Sequence, residues 1–290
     1  MANFWLDAFF WNAAHCRPVA RFFRGPTIFV CRRFSRLVRD SFRVNVPAVL
    51  GPGATRAQVV AYERGVIGNF YDFVCDVGRA VNLTVPQIRE TIESIEGEPL
   101  YKAARATRKG AIIVTAHMGS FEAGAVALLD HDSKLHVVFK RDTSGRFEQV
   151  RSALRAKLGV IEAPIDDGFT IWMKLREALL RDEVVMIQGD RCVPGQKGVK
   201  VPFLHGQLMV PTGPVKLALA TGSPIIPVFA LRTPGGRVRI VTEEPIEVTP
   251  SDQSPHPAVL KFASLLEKHV RAHPDQWLLL HKAFCEDAAT

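Results

Sequence analysis

Short apolar runs alternate with helix-forming segments from residue 111 onward, and this alternation restricts the fold more than any other feature of the chain. The runs contain many β-branched residues and have the length of buried strands. They cover residues 111–116, 135–139, 184–188, 225–230 and 238–241, and helical patterns cover residues 56–77, 86–95, 215–220 and 257–273. Strands that alternate with helices form mostly parallel sheets. The sequence therefore predicts an α/β fold in which helices flank a mostly parallel central sheet.

The first apolar run ends at His117, and a helix start follows at Ser120, with Glu122 in its first turn. In open α/β sheets, ligands bind at this end of the strands. A carboxylate one helical turn away can hold the imidazole, so that its other nitrogen takes a proton from a hydroxyl, while the helix N-terminus offers N–H groups to an oxyanion. Taken alone, the pair is better explained by a histidine that caps a strand beside an ordinary first-turn glutamate.

Charged residues also follow two other predicted strands. Lys140 and Arg141 come after the second run, and Gly189-Asp190-Arg191 comes after the third. Because the carboxyl ends of parallel strands lie at one edge of a sheet, we expect Asp190 and Arg191 on the same rim as His117. This pair can form a local salt bridge or position a phosphate. Further along, residues 201–204, which include Phe203, are a candidate apolar wall of the site.

Residues 1–46 differ from the rest of the chain. They hold eight arginines but only two acidic residues, in a protein whose net charge is +8, and they are rich in Phe and Trp. No apolar run approaches the roughly 20 residues that a spanning helix needs. We favour a helical segment that lies on an anionic membrane, and the alternative is a helical hairpin packed on the rest of the chain. Because Pro47–Gly53 is rich in turn residues, we predict a membrane-associating segment at 1–46 and an α/β domain at 47–290.

Several classes of site are excluded by the sequence. The five cysteines are odd in number and form no C-x-x-C pair, which indicates free thiols in a reducing compartment and no zinc ribbon. There is no dinucleotide-binding glycine motif, P-loop or H-E-x-x-H motif, and Gly119-Ser120-Phe121 lacks the second glycine of a serine-esterase elbow. No pattern typical of nucleic-acid binding accompanies the basic segment. We therefore expect no metal, no cofactor and no nucleic-acid partner.

The stretch His117-Met-Gly-Ser-Phe-Glu122 matches the H-x4-[D/E] motif of the glycerolipid acyltransferase superfamily, and its form resembles the lipid A late acyltransferases. Three later stretches resemble that branch in the same order. Gln188-Gly-Asp-Arg191 is similar to its Q-D-R segment, although Gly189 is inserted between the glutamine and the aspartate. Residues 199–227 are similar to its F-F-G and T-G-P block, and residues 273–282 to its closing P-E-Q-[YW] and H-[RK] signature. The resemblance covers roughly Val66 to Phe284.

The resemblance implies a glycerolipid acyltransferase-like fold and transfer of an acyl chain to a lipid hydroxyl. His117 and Glu122 correspond to the catalytic pair, and the Lys140-Arg141 pair matches a basic position that faces the phosphate or sugar of the acceptor. The residues that we predict to bind substrate are Gly119, Arg141, Asp190, Arg191, Phe203 and Thr212. Phe203 would then contact the acyl chain. Arg191, with the helix N-terminal amides, would stabilise the oxyanion. His281 and Lys282 are expected to be structural or on the surface.

The same resemblance implies the partners of the reaction. The donor is acyl-acyl carrier protein or acyl-CoA, which acts as a co-substrate rather than a cofactor. The acceptor is a glycolipid such as a lipid A precursor, at the cytoplasmic face of the inner membrane. Phosphatidylinositol mannosides, lysophospholipids and aminolipids remain alternative acceptors. A thioesterase and a non-catalytic lipid-binding module of the same fold remain alternative functions.

Overall fold

The computed structural model describes residues 9–13, 15–132, 134–141, 145–193, 195–248 and 256–285. Residues 1–8 of the predicted membrane-associating segment and Pro194 of the loop before Phe203 lie outside these ranges. Residues 9–13 are helical and precede the first helix that we number.

After residues 9–13, ten helices and nine strands follow one another in the described part of the chain. The helices are α1 (Arg17–Phe34), α2 (Arg36–Leu50), α3 (Arg56–Ala80), α4 (Val85–Arg89), α5 (Glu98–Arg105), α6 (Glu122–Leu128), α7 (Gly145–Leu158), α8 (Phe169–Leu180), α9 (Gly213–Thr221) and α10 (His256–Ala272). The strands are β1 (Ile92–Glu96), β2 (Ala111–Thr115), β3 (Leu135–Phe139), β4 (Ile161–Pro164), β5 (Val184–Gln188), β6 (Gly198–Phe203), β7 (Gly206–Pro211), β8 (Ile225–Arg232) and β9 (Val238–Thr242). Short 3₁₀ turns occur at Ile165–Asp167 and Pro274–Gln276.

A seven-stranded sheet forms the centre of the protein, in the order β1-β9-β8-β2-β5-β3-β4. Strands β8, β2, β5, β3 and β4 run parallel to one another, whereas β9 is antiparallel to β8 and pairs in parallel with β1. All five apolar runs are strands of this sheet, which confirms the predicted mostly parallel α/β architecture. Strands β6 and β7 form a separate antiparallel hairpin.

Helices cover both faces of the sheet, and this burial explains why β2 is apolar up to its last residue, Thr115. All five residues of β2 are buried. Ile112 packs in the core beneath α8 and α9, and Ile113 packs in the opposite core with α5, α6 and α7. A strand that is buried on both faces has no position for a polar residue until it ends. In β2 and β5 the first polar residues therefore come at the carboxyl ends, at Thr115 and Gln188.

One predicted helix is wrong in part. The pattern at 86–95 predicts a single helix, but α4 ends at Arg89 and β1 begins at Ile92. Ile92 is buried while Glu93 and Glu96 are exposed, and β1 lies at the edge of the sheet, where polar residues can face solvent. Strand β1 satisfies its backbone groups by pairing with β9, a contact with a segment far along the chain. Long-range pairing therefore overrides the local helical pattern.

The break predicted at Pro47–Gly53 begins later, at Gly51, because α2 continues through Pro47 to Leu50. The boundary predicted between residues 46 and 47 thus falls within a helix. Phe42 of α2 is buried in the main core, and Asn45 Nδ2 donates to the backbone oxygen of His281 at 2.7 Å. Residues 36–50 are consequently packed against the C-terminal part of the chain.

Helix α1 lies on the outside and packs mainly on α3. The guanidinium of Arg24 bonds to Asp72 at 2.9 Å, and that of Arg32 bonds to Glu63 at 2.6 Å. The other side of α1 exposes large apolar residues to solvent. No helix in the described part of the chain combines the length and the hydrophobicity needed to span a bilayer.

Candidate active site

His117 and Asp190 meet because β2 and β5 are adjacent parallel strands in matching register. Thr115, the last residue of β2, pairs with Gln188, the last residue of β5. In each case one residue separates the end of the strand from the functional residue, which is His117 after β2 and Asp190 after β5. The equal offset places the two side chains together, with His117 Nδ1 2.8 Å from Asp190 Oδ1.

Asp190 is a completely buried carboxylate that accepts two hydrogen bonds. His117 Nδ1–H donates to Oδ1, and Trp277 Nε1–H donates to Oδ2 at 2.9 Å. Burial acts to raise the pKa of Asp190, but the electrostatic interactions with His117 and Arg191 and these hydrogen bonds outweigh it and hold the pKa well below the usual range. Asp190 therefore stays ionised and accepts both hydrogen bonds.

Because Asp190 accepts from Nδ1, the neutral imidazole of His117 carries its proton on Nδ1 and leaves Nε2 basic. Burial lowers the pKa of His117 and the nearby Arg191 charge lowers it further, while Asp190 opposes both effects. His117 is consequently neutral, and able to accept a proton, at pH 7. Its ring also packs edge-on against Phe121, with the ring centroids 5.3 Å apart.

Trp277 is positioned by the C-terminal segment, which runs beside the loop after β2. Leu278 N–H donates to the backbone oxygen of His117 at 2.9 Å, and Met118 and Trp277 form an isolated bridge. Phe203 packs against the Trp277 indole, with ring centroids 5.3 Å apart, and is 1% exposed. The prediction that Phe203 forms an apolar wall of the site is therefore wrong, because Phe203 does not line the cavity beside His117. It instead supports the tryptophan that holds Asp190.

Arg191 also lies beside the Asp190 carboxylate. Its Nε is 3.9 Å from Asp190 Oδ2, and its Nη1 donates to His281 Nδ1 at 3.3 Å. Burial lowers the pKa of Arg191, and Asp190 opposes this shift. Burial, together with the Arg191 charge, lowers the pKa of His281 to about 4, so His281 is a neutral acceptor. Asp190 and Arg191 thus share the rim with His117, as the strand ends predict.

Glu122 does not hold the imidazole of His117 in the structure. Its carboxylate bonds to the Arg151 guanidinium instead, with Oε1 at 2.8 Å from Nη2 and 3.0 Å from Nε. Both side chains are largely buried. The expectation from helical spacing fails because Arg151 of α7 reaches Glu122, while Asp190 already occupies Nδ1 of His117. Glu122 thereby orients a cation that lines the same cavity as His117.

Gly119 is required by a close approach between backbones. It adopts a φ of +56°, and an added Cβ would collide with the carbonyl oxygen of Ala230 in β8. Its N–H donates to the backbone oxygen of Gln276 at 2.9 Å. The N–H is therefore engaged by the protein. The structure thus gives Gly119 a backbone role rather than the substrate contact that we predict for it.

A cavity of about 1460 Å³ opens beside His117. Its walls are mostly aromatic and aliphatic, and they include Phe10, Phe70, Phe73, Phe121, Phe139, Phe147, Ile165, Trp172 and Leu217. Arg141 and Thr212, both predicted as substrate-binding residues, line it as well. Arg141 Nη1 bonds to Asp167 Oδ1 at 3.0 Å, and Thr212 Oγ1 donates to the backbone oxygen of Lys197 at 3.1 Å. An apolar volume of this size beside a partly exposed base suits a long-chain substrate.

Sequence reasoning missed three functional neighbours, namely Trp277, His281 and Arg151. The first two lie within the closing stretch 273–282, whose resemblance marks its importance but not its partners. The sequence could have indicated that Asp190 pairs with His117, because each lies two residues after the end of a strand. No comparable signal connects Arg151 with Glu122, because their contact depends on how α7 packs.

A family model for bacterial lipid A biosynthesis acyltransferases matches residues 1–286. The chain belongs to this family. Among curated proteins, it is similar to phosphatidylinositol mannoside acyltransferases of Mycobacterium tuberculosis, at 26% identity over 192 residues, which is 64% of this chain and 58% of the relative. The corresponding protein of Mycolicibacterium smegmatis is 24% identical over 246 residues, which is 83% of this chain and 75% of the relative. The chain therefore spans under two thirds of the length of the M. tuberculosis relative.

Proposed function

We propose that this protein transfers a fatty acyl chain from a thioester donor to a hydroxyl of a membrane glycolipid, with His117 as the base. The observation that carries the proposal is the hydrogen bond of 2.8 Å between His117 and the buried Asp190, at the wall of a large apolar cavity. The carboxylate fixes the tautomer with a basic Nε2 and stabilises the imidazolium that forms during the reaction.

The reaction follows from that tautomer. The acceptor oxygen attacks the thioester carbonyl carbon while its proton moves to His117 Nε2, and the carbonyl π electrons move onto oxygen. When this oxyanion re-forms the carbonyl, the C–S bond breaks, and the thiolate takes the proton from His117. Arg191, which lines the cavity, is placed to stabilise the oxyanion. The acceptor supplies the nucleophile, so the protein needs no serine or cysteine nucleophile of its own.

Two features support a lipid acceptor over a small soluble alcohol. Family membership is the first, and the similarity to phosphatidylinositol mannoside acyltransferases is the second. A lipid A precursor is our first choice of acceptor, and a phosphatidylinositol mannoside is the second. The donor is an acyl thioester of acyl carrier protein or of CoA.

The exposed side of α1 supports contact with a membrane. A stripe along α1 and the start of α2 consists of large apolar residues that are each more than half exposed, namely Phe22, Phe23, Phe29, Val30, Phe34 and Leu37. Arg33, Arg36 and Arg43 are exposed near its C-terminal end. An apolar stripe beside arginines is the pattern of a helix that lies in the interface of an anionic membrane. We place the protein at the cytoplasmic face of the inner membrane, with this stripe in the lipid.

Mass spectrometry of total lipids from cells with and without the protein tests the proposal and identifies the acceptor. We expect a lipid heavier by one acyl group only where the protein is present. Release of free fatty acid from thioesters without an acylated lipid would support the thioesterase instead. No change in either product would support the non-catalytic binding module.

A further inference from the structure

The cavity beside His117 combines its apolar walls with a strong positive charge. Among the described residues that line it, seven are Lys or Arg and none is Asp or Glu. Three of these cations have carboxylate partners, because Arg141 pairs with Asp167, Arg151 with Glu122, and Arg191 lies beside Asp190. The other four form no ion pair with described residues, and they are Lys140, Arg176, Lys197 and Lys216. A cavity built only for a hydrocarbon chain has no need of them.

Three of the unpaired cations gather around Thr212 and Gly213, at the start of α9. The backbone oxygen of Lys197 accepts hydrogen bonds from both the N–H and the hydroxyl of Thr212, at 3.2 and 3.1 Å. Lys216 lies one helical turn after Thr212, and its N–H donates to the Thr212 oxygen at 3.0 Å. Gly213 touches the indole of Trp172 on α8 so closely that an added Cβ would lie 2.8 Å from Cη2. Arg176 follows Trp172 by one turn on the same helix.

Arg176, Lys197 and Lys216, which we call the cationic wall, therefore come from three separate elements and converge on one part of the cavity. Lys197 and Lys216 are exposed and Arg176 is partly exposed, so their charged groups can reach a ligand at little desolvation cost. Convergent ammonium and guanidinium groups without carboxylate partners are suited to a phosphate.

We propose that the cationic wall binds the phosphate of the acyl donor, that is, the phosphopantetheine arm which CoA and acyl carrier protein share. This inference rests on the acyl transfer proposed above, because a thioester donor is what brings phosphopantetheine to the site. With the thioester at His117 and the acyl chain among the aromatic residues, the arm leaves the cavity along the wall. The phosphate then lies between the three cations.

The placement of the wall favours the donor over the acceptor. A lipid acceptor arrives from the membrane, which we place against α1, and α1 packs mainly on α3, whose Phe70 and Phe73 line the cavity. The wall is instead built by α8, α9 and the segment before β6, and α8 and α9 pack on each other and on the sheet. A water-soluble donor can therefore approach the wall from the aqueous side.

The test measures transfer from donors with and without the phosphate, and repeats the measurement with protein variants that have or lack the cationic wall. One acyl chain is presented to the purified full-length protein as the thioester of pantetheine, of 4′-phosphopantetheine, of CoA and of acyl carrier protein. The variant Arg176→Gln/Lys197→Gln/Lys216→Gln removes the wall. The matched control is Lys174→Gln/Lys200→Gln, which removes two exposed lysines from α8 and β6 that do not line the cavity.

For the wild type and the control variant, we expect kcat/KM to be roughly 10-fold or more higher with phosphopantetheine than with pantetheine, since each charge-assisted contact contributes modestly. Without the wall, the ratio should fall to about 1, while turnover of the pantetheine thioester stays unchanged and shows that the variant is folded. The preference should weaken at high salt. A further gain with CoA would identify its nucleotide phosphates as additional ligands, and a further gain with the carrier protein would identify contacts of that protein.

The proposal is wrong if the triple variant keeps the wild-type preference for the phosphorylated donor. It is also wrong if the triple variant raises KM for the lipid acceptor and leaves the donor ratio intact. Failure of the proposed function has a different signature, since His117→Ala would then process the pantetheine thioester as fast as the wild type.

Discussion

Replacement of Asp190 by Asn is the substitution for which the structure gives the most definite expectation. The two carboxylate oxygens have different surroundings. Oδ2 accepts from Trp277 Nε1–H at 2.9 Å and lies 3.9 Å from Arg191 Nε, whereas Oδ1 faces His117 Nδ1. Two donors surround the position of Oδ2, so the amide oxygen of the introduced asparagine will occupy that position. The amide NH₂ must then point at His117.

That orientation reverses the tautomer of the imidazole. An NH₂ group can only donate, so Nδ1 becomes the acceptor and the ring proton moves to Nε2, where it blocks the base. Loss of a positioned general base reduces rates by roughly 10²- to 10⁴-fold. This corresponds to about 3 to 5 kcal/mol of transition-state stabilisation. Because Asn has nearly the same volume as Asp and Asp190 is completely buried, the packing around it is retained.

The assay is transfer of a radiolabelled acyl group from its thioester to total membrane lipids, with the thermal unfolding midpoint as a control for folding. Glu122→Gln is the comparison, because helical spacing predicts that Glu122 orients His117 and the structure pairs it with Arg151. We expect Glu122→Gln to change KM more than kcat and to be milder than Asp190→Asn. A folded Asp190→Asn variant with near-normal kcat, beside an inactive Glu122→Gln variant, would refute the reasoning.

Three further outcomes can be measured. Because burial and the Arg191 charge both lower the pKa of His117, kcat/KM should stay level through pH 7 and fall only below the ordinary histidine pKa of 6.5. Arg191→Gln should move this acidic limb to higher pH, and an unmoved limb would exclude electrostatic coupling between Arg191 and His117. Phe22→Ser/Phe29→Ser should reduce sedimentation with anionic vesicles at unchanged stability, and equal sedimentation would exclude α1 as the membrane contact. Gly119→Ala should lower the free energy of unfolding by at least about 2 kcal/mol in urea titrations, because the added methyl meets a backbone carbonyl of β8, and a normal midpoint would contradict that contact.

The central strands could be predicted from the sequence because burial on both faces demands apolar, β-branched residues over a strand length. Strand β1 could not, since Ile92–Glu96 is partly polar and is held by pairing with β9. The hairpin β6–β7 was likewise not predicted, because it lies outside the sheet and contains Lys200 and Gln207 within its strands. Local pattern is informative where a segment is surrounded by apolar contacts and is weak where distant pairing decides.

The candidate site shows the same division. The strand ends placed His117, Asp190 and Arg191 on one rim, which is where the structure has them. The choice between Glu122 and Asp190 as the partner of His117 required the register between β2 and β5 and the position of Trp277. Helical spacing gives a distance along one element, but it does not reveal which side chain from a neighbouring element already occupies Nδ1.

The most direct test of whether His117 is the base is to measure acyl transfer by the His117→Ala variant. The purified variant is compared with wild type and with His205→Ala, which makes the same substitution at an exposed histidine that does not line the cavity. We expect His117→Ala to be folded and to transfer no label to lipid, while His205→Ala transfers at the wild-type rate. Wild-type transfer by a folded His117→Ala protein would contradict the assignment of the base.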